Sequence, residues 1–198
     1  VPQGQRLLVT GFGPFPGAPT NPTERLIRAL ADEPPRSFEA SALKVAVLPT
    51  EYARSWGTLR RLYKAFAPDV VVHFGLSARA EVVHVETLAR NVVDPAKLDA
   101  VGASLISGRV RRSGPATLDA TLPVGAIVAR LAAARVDAAK SIDAGDYVCN
   151  ATLYRSLLAA PAERRVGFIH VPPTNAGFGE ARLQEAARII LRAAVLDS

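Results

Sequence analysis

Cysteine is almost absent from this chain: one residue of 198, Cys149, is a cysteine. A lone thiol cannot close an internal disulfide, so the chain has no covalent staple and gives no sign of an oxidising compartment. Nor can it complete the Pro-Cys-x-x-Cys half of a zinc deaminase site. Long apolar runs are also missing, and none reaches the roughly 18 residues of a membrane span. The opening residues, Val1 to Arg6, do not read as a signal peptide, because the strand-like run after them is too short for an apolar region plus a cleavage site. The expected compartment is the cytoplasm. Aromatic residues make up 6% of the chain and are not interleaved with basic runs. The net charge of +6, from 24 basic and 18 acidic residues, comes from scattered arginines such as Arg54, Arg60, Arg109 and Arg164. That pattern describes a solvated surface rather than a nucleic-acid groove, so no nucleic acid is expected as a partner. There is no repeat, no low-complexity segment and no visible boundary, so residues 1–198 are expected to form a single domain.

What is present is a strong apolar fraction, 49%, arranged in alternating patterns. Short apolar runs at 6–10, 40–48, 69–75, 82–88, 140–142 and 165–170 read as strands. Amphipathic stretches at 22–31, 51–66, 124–134 and 180–195 read as helices, with Asn21 and Pro22 capping the first. Another helix runs through Val148, Thr152, Leu153 and Leu157. Residues 91–122 are mixed in character and read as a long loop or excursion, either an ordered wall of a site or a mobile loop. Strands alternating with helices predict an α/β fold: a three-layer α/β/α sandwich around a mostly parallel twisted sheet. Such sheets carry their sites at the carboxyl ends of strands, where Gly11, Gly75 and His170 fall.

Cys149 lies in Ala144-Gly145-Asp146-Tyr147-Val148-Cys149-Asn150, in the first turn of a predicted helix with Asp146 as its N-cap. Free N–H groups and the helix dipole there favour a thiolate, the form that attacks carbonyls. The alternative is a small core hydrophobe. His170 ends a buried strand, where it can serve as base for a thiol nucleophile, and a carboxylate such as Glu86 could orient its ring. His73, inside an apolar strand, reads as a core histidine. His84 and Glu86 point the same way on their strand, but no metal site is expected. The loop Gly11-Phe12-Gly13-Pro14-Phe15-Pro16-Gly17 has the wrong spacing for a dinucleotide loop, and its prolines lack the N–H groups that would hold phosphate. Its two phenylalanines either wall an apolar pocket or pack the loop onto the core.

Four blocks together resemble the pyroglutamyl peptidase I family, cysteine peptidases that remove N-terminal pyroglutamate. They are Val9-Thr10-Gly11-Phe12-Gly13-Pro14-Phe15 with Asn21-Pro22, Glu86-Thr87-Leu88-Ala89-Arg90-Asn91, the Cys149 block, and Gly167-Phe168-Ile169-His170-Val171-Pro172. Their order and spacing match over nearly the whole chain. The resemblance implies Cys149 as nucleophile, His170 as general base and acid, and Glu86 as the orienting carboxylate. It places the lactam ring against Phe12, Phe15 and Tyr147. It implies no metal or cofactor, a peptide substrate with a blocked N-terminus, and a homo-oligomer, either dimer or tetramer.

The chain departs from the family pattern at three places. Leu76 stands where the family has a glutamine after the third strand. Ala96-Lys97 replaces the Ala-Arg of an Asp-Asp-Ala-Arg block, leaving Arg90 and Lys97 to replace the arginine. Asp146 stands in place of a threonine, next to a sulfur that must carry negative charge. The leading expectation is therefore a pyroglutamyl peptidase. The alternatives are a related amidase with a different N-terminal acyl group, and a weakly active homologue that binds a small ligand.

Overall fold

The computed structural model describes residues 5–35, 42–175 and 177–196. Among them the elements run β1 (Leu7–Phe12), α1 (Pro22–Asp32), β2 (Leu43–Leu48), α2 (Tyr52–Phe66), β3 (Val70–Leu76), β4 (Val83–Glu86) and β5 (Leu88–Arg90). They continue β6 (Thr117–Asp119), α3 (Val124–Ala133), β7 (Ala138–Ser141), α4 (Val148–Leu158), β8 (Arg165–Val171) and α5 (Glu180–Leu196). Residues 40 and 41 of the expected second strand lie outside the described residues.

The main sheet has the order β2-β1-β3-β8-β4-β7. Strands β2, β1, β3 and β8 are mutually parallel; β4 pairs antiparallel with β8, and β7 runs parallel to β4. The central strands LLVTGF and VVVHFGL are almost wholly buried, because helices cover both faces of the sheet. Alternation along each strand sorts the side chains into two cores. Leu7, Val9, Val70, Val72, Phe74 and Ile169 pack with residues of α1, α3 and α5. Leu8, Phe12, Val71, Val166 and Phe168 pack with residues of α2 and α4 on the other face. This is the expected three-layer arrangement around a mostly parallel sheet.

Two parts differ from expectation. The strand read across 82–88 ends at Glu86, and β5 leaves to pair with β6 in a separate two-stranded sheet. Thr87 marks the break, giving both its N–H and its hydroxyl to the Ser141 carbonyl, at 2.7 and 2.9 Å. The stretch 91–122, open between an ordered wall and a loop, is the wall, and it carries a short strand, β6, that the sequence did not mark. Asn91 accepts from the Arg111 N–H and donates to the Arg111 carbonyl. Asp99, 2% exposed, accepts from the N–H groups of Tyr52, Val101 and Ala103. Buried Asn150 accepts from the Arg90 N–H and donates to the carbonyls of Arg90 and Val92. The wall is therefore tied to both α2 and α4.

Candidate active site

The site lies on the sheet face covered by α2 and α4. Register places Gly75 beside His170 across β3 and β8, and His84 beside His170 across β8 and β4. Residues two apart on a strand share a face, so His170, Phe168, Glu86 and His84 all look toward α4. Helix α4 begins at Val148, so Cys149 stands in its first turn. The first intrahelical bond comes from the Ala151 N–H to the Tyr147 carbonyl, 3.0 Å, so the N–H groups of Val148, Cys149 and Asn150 precede it.

The approach of strand to helix is close. A methyl group added at Gly75 would stand 2.6 Å from Phe168 Cζ and 3.1 Å from Cys149 Sγ. Only a residue without Cβ lets β3 lie under the sulfur. The loop before α4 is shaped by Gly145, at φ +80°, whose N–H is accepted by Asp143 Oδ1 at 3.0 Å.

His170 Nδ1 lies 2.7 Å from Glu86 Oε1, and His170 lines the same cavity as Cys149. Glu86 is 1% exposed, and its Oε2 has no partner among the described residues. Burial would push the imidazole pKa down. The side chains of Cys149 and Glu86 beside it overcome this and raise it to about 9. At neutral pH the imidazole is therefore protonated and faces a half-buried sulfur. The Phe168 ring packs against it, with centroids 4.7 Å apart.

These groups open into a cavity of about 660 Å³. Phe15, Pro16, Leu76, Leu98 and Tyr147 give it apolar walls. The Phe15 and Tyr147 rings lie 6.3 Å apart, and the Tyr147 hydroxyl donates to the Leu98 carbonyl at 2.9 Å. Leu76 and Tyr147 thus both stand on the wall. Phe12 does not: it is 2% exposed and packs against Phe168 in the core beneath. Of the two phenylalanines in the loop, one lines the pocket and the other packs the loop down.

Asp146 does not cap α4. The N-cap is Tyr147, with no side-chain bond to the helix. The Asp146 carboxylate turns instead to an ion pair with Lys97, which offsets its charge near the sulfur. Arg90 pairs with Asp143 in the same way. The two cations expected near the site both bind the loop that delivers Cys149. His73 is a core histidine, as expected. It is fully buried between the Thr10 and Ser156 hydroxyls at 2.7 and 3.0 Å, and burial pushes its pKa down to about 3. Among the described residues no group of three or more acidic, histidine or cysteine side chains could hold a metal.

Sequence reasoning passed over two contributors. Asn150, beside Cys149, is fully buried and ties the helix to the wall; its signal was a polar residue within an apolar helical pattern. Asp143 braces the turn at Gly145, and the Asp-x-Gly spacing was its signal.

A family model described as pyroglutamyl peptidase matches residues 5–177. Pyrrolidone-carboxylate peptidase 1 of Ralstonia nicotianae is 36% identical over 84% of this chain and 77% of its own length. The pyrrolidone-carboxylate peptidase of Thermococcus onnurineus is 35% identical over 84% of this chain and 83% of its own. The crystal structure of pyrrolidone carboxyl peptidase from Thermus thermophilus superposes with a TM-score of 0.85 at 32% identity, covering 94% of this chain and 99% of that one. No helix among the described residues is long and apolar enough to cross a membrane.

Proposed function

The chain belongs to the pyroglutamyl peptidase family, and from that premise we propose that it removes N-terminal pyroglutamate from peptides through Cys149, His170 and Glu86. One observation supports the assignment of residues: the Glu86–His170 pair at 2.7 Å and Cys149 line one cavity.

The reaction runs in two halves. The Cys149 thiolate attacks the carbonyl that joins pyroglutamate to the next residue, forming a C–S bond. N–H groups at the start of α4 receive the oxyanion. As the tetrahedral intermediate collapses, the protonated His170 gives its proton to the departing amine and the C–N bond breaks. His170, now neutral, takes a proton from water; the hydroxide adds to the thioester, and pyroglutamate leaves with the thiolate restored. Glu86 is a positioning residue, holding the Nδ1 proton so that Nε2 faces the sulfur.

The apolar walls supply the specificity. A lactam carries no charge, whereas a free amino terminus would enter this cavity as an unpaired ammonium. Leu76 supports a second reading, a different uncharged N-terminal acyl group, since its side chain offers no hydrogen bond to a lactam edge. A catalytic thiol must stay reduced, which favours the cytoplasm. On the same reading the whole chain, residues 1–198, is one peptidase domain that assembles as a homo-oligomer.

The test is hydrolysis of a pyroglutamyl fluorogenic amide by the wild type and by Cys149→Ala, with iodoacetamide labelling alongside. We expect turnover that the variant loses, and labelling of the native wild type at near-neutral pH. A labelled wild type with no turnover would move the assignment to another acyl group. An unlabelled, inactive wild type would remove the nucleophile itself.

A further inference from the structure

The charged side chains around the cavity are almost all spoken for. Glu86 pairs with His170, Lys97 with Asp146, and Asp143 with Arg90. Arg79 also lines this cavity. It follows β3 by a few residues, is exposed, and makes no hydrogen bond or ion pair among the described residues. Arginine is always protonated, and its planar fork matches a carboxylate. A cation on a substrate-binding wall with no counter-ion of its own is therefore open to an anion from the substrate.

Arg79 also borders a second cavity of about 560 Å³, which shares Ala78 and Arg79 with the first. Arg135 and Arg182 stand on the walls of this neighbour, with Glu81 and Asp137 as its acidic members. Arg182 is occupied by Glu185 and by the carbonyls of Ala134 and Arg135. The border between the two cavities is thus marked by an unpaired guanidinium.

The acyl half of a pyroglutamyl peptide is neutral. Its anion lies on the other side of the scissile bond, either as the carboxylate ending a short peptide or as an acidic side chain. We propose that Arg79 is a specificity-determining residue that takes this carboxylate, so that the departing residue points past Ala78 toward the second cavity. The proposal rests on the pyroglutamyl peptidase reading. The step is binding alone: no bond to Arg79 forms or breaks.

The experiment measures kcat/KM for pyroglutamyl-alanine, pyroglutamyl-alanine amide and pyroglutamyl-glutamate amide, with wild type, Arg79→Ala and Arg79→Lys. An exposed charge pair predicts a wild-type preference for the carboxylate-bearing substrates of about fivefold at low salt. Arg79→Ala is expected to erase that preference, Arg79→Lys to restore part of it, and added salt to weaken it in the wild type. Loss confined to pyroglutamyl-alanine assigns the main-chain carboxylate; loss confined to the glutamate amide assigns the side chain. An Arg79→Ala variant that slows all three substrates by one common factor, or a wild type without preference, overturns the proposal alone. A wild type that releases pyroglutamate from none of them overturns the acyl assignment, and this subsite with it.

Discussion

At the scale of single residues, Glu86 sets the charge of its neighbour. One carboxylate oxygen holds His170, and the other has no partner among the described residues. Replacing it as Glu86→Gln keeps the shape and removes the charge. The raised pKa of His170, about 9, means the ring is protonated below that pH and loses its proton above it. Activity that needs the imidazolium as acid therefore falls as pH rises through about 9. In Glu86→Gln this alkaline limb is expected to move to lower pH, and kcat/KM to fall by about a hundredfold. An unchanged pH profile would show that Glu86 does not act through His170. The same raised pKa contributes stability that is complete below the unfolded value of 6.5 and lost as pH rises through about 9. The sequence already showed how these residues could meet: a thiol at a predicted helix start, a histidine ending a buried strand and a carboxylate on another strand. It did not reveal that Asp146 would turn to Lys97, because the two are far apart in the chain and meet only once the wall over 91–108 has folded against α4. Nor did Arg79 stand out, since an arginine shows itself as unpaired only when every neighbour has been placed.

At the scale of elements, the decisive contact is β3 under α4. Gly75 lies beside His170 in register, and the space a side chain would fill belongs to Phe168 and the Cys149 sulfur. Phe168 cannot move aside freely, since the rings of Phe12, His73 and His170 surround it. In Gly75→Ala the ring or the helix must shift, at a cost of about 1–3 kcal/mol in stability. Because the displaced groups include Phe168 and the sulfur, kcat/KM is expected to fall further than the stability loss alone would bring. Thermal unfolding and steady-state kinetics on the purified variant check this, and wild-type turnover would show that the spacing is not critical. Most elements here were legible because each is buried on one face or both, and burial writes a period into the sequence. The β5–β6 pair was not, for a related reason. Its three-residue strands are mostly half-buried or exposed, so no alternation marks them, and they exist because Thr87 and Asn150 turn the chain toward them.

At the scale of the whole molecule, the sheet is mostly parallel, as the strand–helix alternation implied, but β4 and β7 run against the others. The short connection 77–82 explains the reversal. It is too short for a parallel crossover, yet β4 must reach past β8, so the strand returns in the opposite direction. That reversal puts His84 and Glu86 against His170, with the wall over 91–108 nearby. The same wall exposes its own apolar residues: Leu98 at 56%, Val101 at 65% and Ile106 at 88%. Large apolar side chains exposed along one segment suit a contact surface. The proposed homo-oligomer would bury these residues. Since Leu98 also accepts the Tyr147 hydroxyl, assembly would steady one side of the cavity. Ile106→Glu introduces a charge at the most exposed of the three and lies outside the cavity lining. Sedimentation velocity is expected to show the wild type at a multiple of 21.0 kDa and the variant shifted toward the monomer. A wild type that sediments as a monomer at micromolar concentration would leave the wall held by the bonds within the chain, those of Asp99, Asn150 and the Lys97–Asp146 pair among them, and would return Ile106 to an ordinary exposed side chain.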